Sequence, residues 1–122
     1  MRDLTELDKL ERYLKENGIR YERFDAEKSF VDEKHPNLIY VLERHQICVP
    51  CEGEDMKWDA ICHRGSYGAE EGLLEIMGVI VRKNAARDTV EGYLTADDVI
   101  ERIKDVYVLD LPCPPGRRED GM

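Results

Sequence analysis

The segment from residue 57 to residue 81 constrains the fold most, because three backbone patterns follow one another within it. Its first part alternates, with Trp58, Ala60 and Cys62 on one side, as side chains do along a β-strand. The next five residues, RGSYG, contain two glycines and predict a turn. The aliphatic side chains that follow predict a helix whose apolar face is formed by Leu73, Ile76, Met77, Ile80 and Val81.

Residues 45–63 predict a β-hairpin that leads into this turn, because two runs suited to strands flank the acidic turn candidate CEGED. Pro50 cannot donate a ladder hydrogen bond and therefore fits the end of the first strand. With the turn centred near its glycine, Cys62 lies opposite His45.

The N-terminal region predicts a helix followed by a strand. Leucines recur with a helical period and stop at Asn17-Gly18, where glycine favours the end of a helix. Residues 19–25 carry β-branched and aromatic side chains suited to a strand, and the polar residues 26–37 predict a loop. We expect Phe30 and Val31 to attach this loop to the body by packing.

The remaining elements complete the domain. The apolar runs 38–42 and 45–49 form either one bent strand or two. Residues 90–94 predict a short strand, and Thr95 to Asp98 can cap a further helix. Residues 106–109 predict a last edge strand.

This order of elements predicts an α+β domain with a mostly antiparallel sheet, a central β-hairpin and about three helices packed on one face. We expect one globular domain over residues 1–111. Residues 112–122 contain three prolines, two glycines and mixed charge, which predict a flexible tail.

The charge of the chain excludes some functions. There are 27 acidic and 18 basic side chains, a formal net charge of −9, which disfavours binding to nucleic acids or to an anionic membrane. The N-terminus MRDLTELDK has no apolar core of a secretory signal, and the longest apolar run is too short to span a bilayer. We therefore expect a cytoplasmic protein whose four cysteines are reduced.

Cysteine spacing raises the question of a metal. Cys48 and Cys51 have the spacing of a zinc knuckle, and Cys62-His63 would supply two more ligand types. The predicted hairpin separates these ligands by about 10–20 Å along the strands, which is too far for one tetrahedral ion. The sequence accordingly indicates no metal site and no cofactor.

Two enzymatic alternatives remain open. Cys62 with His45 or His63 would form the thiolate–imidazolium pair of a small thiol-dependent hydrolase or transferase. Ser66 is a second candidate nucleophile, although RGSYG departs from GxSxG at its first position. The other alternative is a relic of a nuclease-like fold, since residues 55–57 have the acid-x-Lys form of restriction-endonuclease-like enzymes.

The leading hypothesis is a small cytoplasmic binding or accessory protein that acts through protein–protein contacts. Tyr67 lies between two glycines and is expected to be exposed, and seven acids between Glu52 and Glu75 face only two bases. Such a surface fits a basic protein partner. The predicted binding residues are His63, Arg64, Ser66, Tyr67, Glu70 and Glu71.

The segments WDAICHRGSYGAEEGLLEIMG, LERYLKENGIRYERFD and EGYLTADDVIERI together resemble a group of short uncharacterised proteins of anaerobic Firmicutes and their mobile elements. The resemblance covers most of residues 4–103. It implies a bacterial or phage context, and it carries no activity, cofactor or partner. The sequence alone identifies no reaction and no oligomeric state.

Overall fold

In a computed structural model, residues 2–82 and 90–110 are described, and they form an antiparallel five-stranded sheet with two helices. The helices are α1 (Thr5–Glu16) and α2 (Ala96–Asp110). The strands are β1 (Glu22–Val31), β2 (Ile39–Val49), β3 (Trp58–Ile61), β4 (Leu74–Gly78) and β5 (Val90–Leu94).

The strand order β1-β2-β3-β4-β5 is that of a meander, in which each strand pairs with the next one in the chain. The α+β class is confirmed, whereas the described residues contain two helices instead of about three. Neither of these helices has a segment long and apolar enough to cross a membrane. The predicted tail 112–122, and the predicted domain end at residue 111, lie outside the described residues.

Both helices pack their apolar sides against one face of the sheet and contact each other. In α1 the leucine period is confirmed, because Leu7, Leu10 and Leu14 are fully buried. The start of α2 is a reciprocal cap in which the Thr95 N–H donates to Asp98 and the Asp98 N–H donates to the Thr95 hydroxyl, at 3.0 and 3.1 Å. The predicted edge strand over 106–109 is wrong, because α2 continues to Asp110.

The predicted hairpin of β2 and β3 is confirmed, including its register. Val49 lies opposite Trp58, and the Cys62 N–H donates to the His45 carbonyl at 3.0 Å. Trp58 and Ala60 are fully buried on the side that faces the helices. The alternation of side chains along each strand and the position of the turn were sufficient to predict this register, because a single connection joins the two strands.

The predicted helix after the glycine turn is wrong. The chain instead makes a single 3₁₀ turn, Ala69–Glu71, and then enters β4, where Leu74 and Ile76 are fully buried in the core. Gly78 has a φ of +112° and pairs with Trp58, so closely that an added Cβ would lie 2.4 Å from the Lys57 carbonyl oxygen. The glycine therefore permits close strand pairing, and it does not interrupt a helix.

Strands β1 and β2 extend well beyond the rest of the sheet. β3 pairs with β2 only from residue 46 to residue 49, whereas β1 pairs with β2 over residues 22–31. Residues 26–44, which we call the arm, therefore form a two-stranded ribbon with a short connecting loop. The open question about residues 38–49 is thus answered by one continuous strand, β2.

Two expectations about the arm are corrected. The first strand does not end at residue 25, because residues 26–31 of the predicted loop pair with β2. Phe30 and Val31 do not pack onto the body, since they remain 48% and 54% exposed. Phe30 instead contacts Tyr40 across the ribbon, with ring centroids 5.5 Å apart. The polar sequence of residues 26–31 carries no strand pattern of its own, and pairing with β2 makes these residues a strand.

Candidate functional site

The glycine turn and β5 enclose a cleft of about 290 Å³. Five of the six predicted binding residues line it, namely Arg64, Ser66, Tyr67, Glu70 and Glu71. Arg2 and Tyr93 join them from distant parts of the chain, which sequence reasoning did not find. Two arginines therefore face two glutamates, and the local charge is balanced where an acidic surface was expected.

The turn that forms this cleft is held by its own hydrogen bonds. The Ser66 hydroxyl donates to the His63 carbonyl at 2.7 Å and accepts from the His63 N–H at 3.0 Å. The Tyr67 N–H donates to the Glu75 carboxylate at 2.8 Å. The Ser66 hydroxyl is therefore used in a local turn motif, which gives no support to Ser66 as an activated nucleophile.

Two exposed tyrosines form the rim of the cleft. The rings of Tyr67 and Tyr93 are stacked with centroids 6.5 Å apart. Tyr93 has a φ of +59°, a left-handed conformation that costs a non-glycine residue about 1–3 kcal/mol. Gly92 allows the close approach, since an added Cβ would lie 2.4 Å from the Tyr67 Cβ. The turn and β5 thus hold an aromatic pair where a partner's apolar or planar group can contact it.

The cysteine–histidine alternative receives no support from the arrangement of its members. The Cys62 thiol is fully buried and donates to the Asp3 carbonyl at 3.6 Å, and burial raises the pKa of this thiol. His63 accepts a hydrogen bond from the His45 N–H at its Nδ1, and burial lowers the pKa of His63. A thiol kept protonated in an apolar site is the opposite of an activated nucleophile.

The other candidates from the sequence are also placed. Cys48 is buried within β2 and Cys51 is half-buried just beyond it, and neither belongs to a group of metal-ligating side chains among the described residues. Asp55 and Lys57 are both exposed in the connection between β2 and β3. An acid-x-Lys pair in such a turn does not reproduce the mid-strand arrangement of a nuclease.

A buried histidine with acidic neighbours lies at the base of the arm. His45 is 4% exposed, its Nδ1 lies 2.6 Å from the Asp25 carboxylate, and its Nε2 lies 2.8 Å from Glu27. Burial alone would lower the pKa of His45, but the hydrogen bonds and charges of Asp25 and Glu27 raise it above its ordinary value. Glu43 lies 3.8 Å from the same Nε2 and is held by Arg2 through two hydrogen bonds of 2.6 and 2.8 Å.

Sequence reasoning missed this cluster because it depends on the β1–β2 register. Asp25 lies directly opposite His45, and Glu27 lies opposite Glu43, so that all four share one face of the ribbon. The available signal was the pair of alternating motifs Asp-x-Glu and Glu-x-His. Neither motif indicates a site until the two strands are paired.

The arm exposes a continuous set of large apolar side chains. Seven residues between 30 and 42 are each 43–65% exposed: Phe30, Val31, Leu38, Ile39, Tyr40, Val41 and Leu42. The register places Phe30 and Tyr40 on one face and Val31 and Ile39 on the other, so both faces are apolar. The run LIYVL predicts a strand, and only the length of the ribbon shows that no other part of the described sheet covers its side chains.

Comparison of the chain with protein-family models, with curated proteins and with solved structures finds no match. The function is therefore argued from the three features above: the cleft, the histidine cluster and the arm.

Proposed function

We propose that this chain is a small cytosolic binding protein that acts through protein–protein contacts, with the arm as its docking surface and a basic protein as its partner. The observation that carries the proposal is the apolar character of both faces of the arm. The bacterial or mobile-element context implied by the resemblance is part of the same proposal.

The size of the exposed apolar surface supports a docking role. At roughly 90 Å² for each half-exposed large side chain, the seven residues of the arm expose about 600 Å². This area is at the upper end of what monomeric proteins expose, and a stable interface needs about 800 Å² from each partner. Because these side chains are divided between the two faces of the arm, the arm provides most of the area for one specific contact when a partner encloses both faces, as a groove would.

The charge distribution favours a basic partner over a second copy. Residues 26–44 contain four acids and three bases, a net charge of −1, which leaves −8 of the total of −9 on the rest of the chain. The arm is nearly neutral and adds little net repulsion, while the acidic body attracts a basic protein and repels another copy of itself. Weakening of the complex by salt is expected for the same reason.

The test uses a doubly substituted arm, Ile39→Thr with Leu42→Thr, because threonine is β-branched and suits an exposed strand. The matched control, Met77→Thr with Val79→Thr, removes two apolar side chains of similar exposure outside the arm. A tagged wild-type protein is used to capture a partner from a bacterial extract, and the partner is then purified and titrated. Losing two buried side chains should cost about 3 kcal/mol, or roughly 100-fold in affinity.

Three results decide the proposal. The arm variant should bind the purified partner about 100-fold more weakly, the control should bind as the wild type does, and binding should weaken with salt. Equal binding by the arm variant and the wild type would refute the docking role of the arm. If the purified wild-type protein sediments as a dimer and the arm variant as a monomer, the partner of the arm is a second copy of the chain and not a basic protein.

A further inference from the structure

We infer that Glu27, Glu43 and His45 form a binding site for one divalent transition-metal ion of the Zn²⁺ class, at the base of the arm. The inference goes beyond the docking function and does not depend on it. Two carboxylates and one imidazole supply the hard oxygen and borderline nitrogen ligands that zinc accepts, and a nitrogen ligand disfavours Mg²⁺ and Ca²⁺.

The distances fit a small ion. Glu27, Glu43 and His45 each offer one ligand atom, and these three atoms lie within 4.8 Å of one another. A tetrahedral ion with bonds of about 2.0–2.1 Å holds its ligand atoms roughly 3.3 Å apart. The His45 Nε2 lies 2.8 Å from the Glu27 oxygen and 3.8 Å from the Glu43 oxygen, values on either side of that spacing. The Glu27 side chain is 51% exposed and can move by the half ångström that is needed.

The surrounding residues hold the ligands in a binding orientation. The Asp25 carboxylate lies 2.6 Å from the His45 Nδ1 and favours a proton there, so an ion would bind at Nε2 in place of the proton that the Glu27 carboxylate accepts at 2.8 Å. Arg2 donates to both oxygens of the Glu43 carboxylate, at 2.6 and 2.8 Å, and so fixes the position of that carboxylate. Carboxylate–histidine pairs of this kind are the usual outer partners of zinc-binding imidazoles.

The charges around the three ligands are matched in the metal-free protein. Arg2 pairs with Glu43 at 2.6 Å, Arg23 pairs with Asp25 at 3.0 Å, and a protonated His45 imidazole pairs with both Asp25 and Glu27. His63 accepts a hydrogen bond from the His45 backbone N–H. A divalent ion would take the place of the Nε2 proton, at the point where Glu27 and Glu43 converge.

An open position completes the site. A cavity of about 260 Å³ is lined by Glu27 and Glu43, together with Lys28, Ser29 and Val41. It gives solvent access to the two carboxylate ligands. Three protein ligands with an accessible fourth position distinguish a reactive or exchangeable zinc site from a closed structural one.

The experiment titrates the metal-free protein with ZnCl₂ at pH 7.5 in a calorimeter, with the stoichiometry checked by elemental analysis after dialysis. Glu27→Gln removes an exposed ligand with little risk to folding, and His45→Gln removes the nitrogen. The control is His35→Gln, which alters an exposed histidine–aspartate pair in the arm loop. We expect one ion per chain, a loss of at least tenfold in affinity in Glu27→Gln, no saturable binding in His45→Gln, and no change in the control.

A Co²⁺ substitution separates this site from the cysteines. Cobalt bound to nitrogen and oxygen ligands gives visible d–d absorption without the intense near-ultraviolet band of thiolate-to-metal charge transfer. The inference is overturned if that band appears, if the wild type binds no stoichiometric ion, or if Glu27→Gln binds as tightly as the wild type.

Discussion

Substitution of Gly78 by alanine tests whether the end of the segment 57–81 is a strand, as in the structure, or a helix, as the sequence predicts. In a helix, replacing an interior glycine by alanine should stabilise the protein by about 1 kcal/mol. In the fold described here, Gly78 has a φ of +112°, which costs an alanine roughly 1–2 kcal/mol. The new Cβ would also lie 2.4 Å from the Lys57 carbonyl oxygen and 2.7 Å from the Trp58 Cα.

Both of those neighbours are main-chain atoms, so relief requires that β3 and β4 separate. Overpacking of this kind costs a further 1–3 kcal/mol. We therefore expect Gly78→Ala to lower the free energy of unfolding by about 2–5 kcal/mol, or the midpoint of thermal unfolding by roughly 8–20 °C. The two alternatives differ in sign, which makes the result decisive.

The assay is urea unfolding followed by the fluorescence of Trp58, the only tryptophan in the chain, which is fully buried and lies opposite Gly78. Gly53→Ala is the control, because Gly53 has a similar φ of +103° but no atom within 4 Å of an added Cβ. It should cost only the strain, about 1–2 kcal/mol. A Gly78→Ala protein as stable as the wild type would refute the strand assignment, and equal losses in both variants would refute the close approach of β3 and β4.

Three further outcomes are expected. Iodoacetamide below neutral pH should label the half-buried Cys51 before Cys62 in the folded protein, since burial raises the pKa of the Cys62 thiol. If mass spectrometry finds Cys62 labelled first, that result would support the thiol-dependent enzyme. The pKa of His45 is raised in the folded state, so the stabilising contribution of this residue is fully present below its ordinary pKa of about 6.5 and is lost as pH rises through the folded pKa. His45→Gln should therefore lower the free energy of unfolding more at pH 6 than at pH 9, measured in EDTA. Equal losses at both pH values would contradict the ion pairs with Asp25 and Glu27. Thr95→Ala should cost about 1 kcal/mol in thermal unfolding through loss of the α2 cap, whereas Thr95→Ser should retain most of that stability; similar losses in both would count against the cap.

Five of the six residues that the sequence suggests as a binding surface line the cleft, and they are close together in the chain. The turn from His63 to Gly68 is closed by local hydrogen bonds between His63 and Ser66, and Glu75 and Tyr93 add hydrogen bonds to the Tyr67 backbone from β4 and β5. Arg2 and Tyr93 could not be assigned to it, since they reach the cleft only through the packing of the N-terminal segment and of β5.

The sequence by itself determined the elements whose signal is local: the leucine period of α1, the cap of α2, and the β2–β3 hairpin with its register. Tertiary structure decided the rest. A short aliphatic run such as residues 73–81 satisfies a helical and a strand period equally, and its pairing with β3 and β5 makes it a strand. The exposed arm and the histidine cluster depend on the β1–β2 register. Residues 26–31 carry no alternating pattern that indicates this pairing, so only the folded sheet specifies which residues meet.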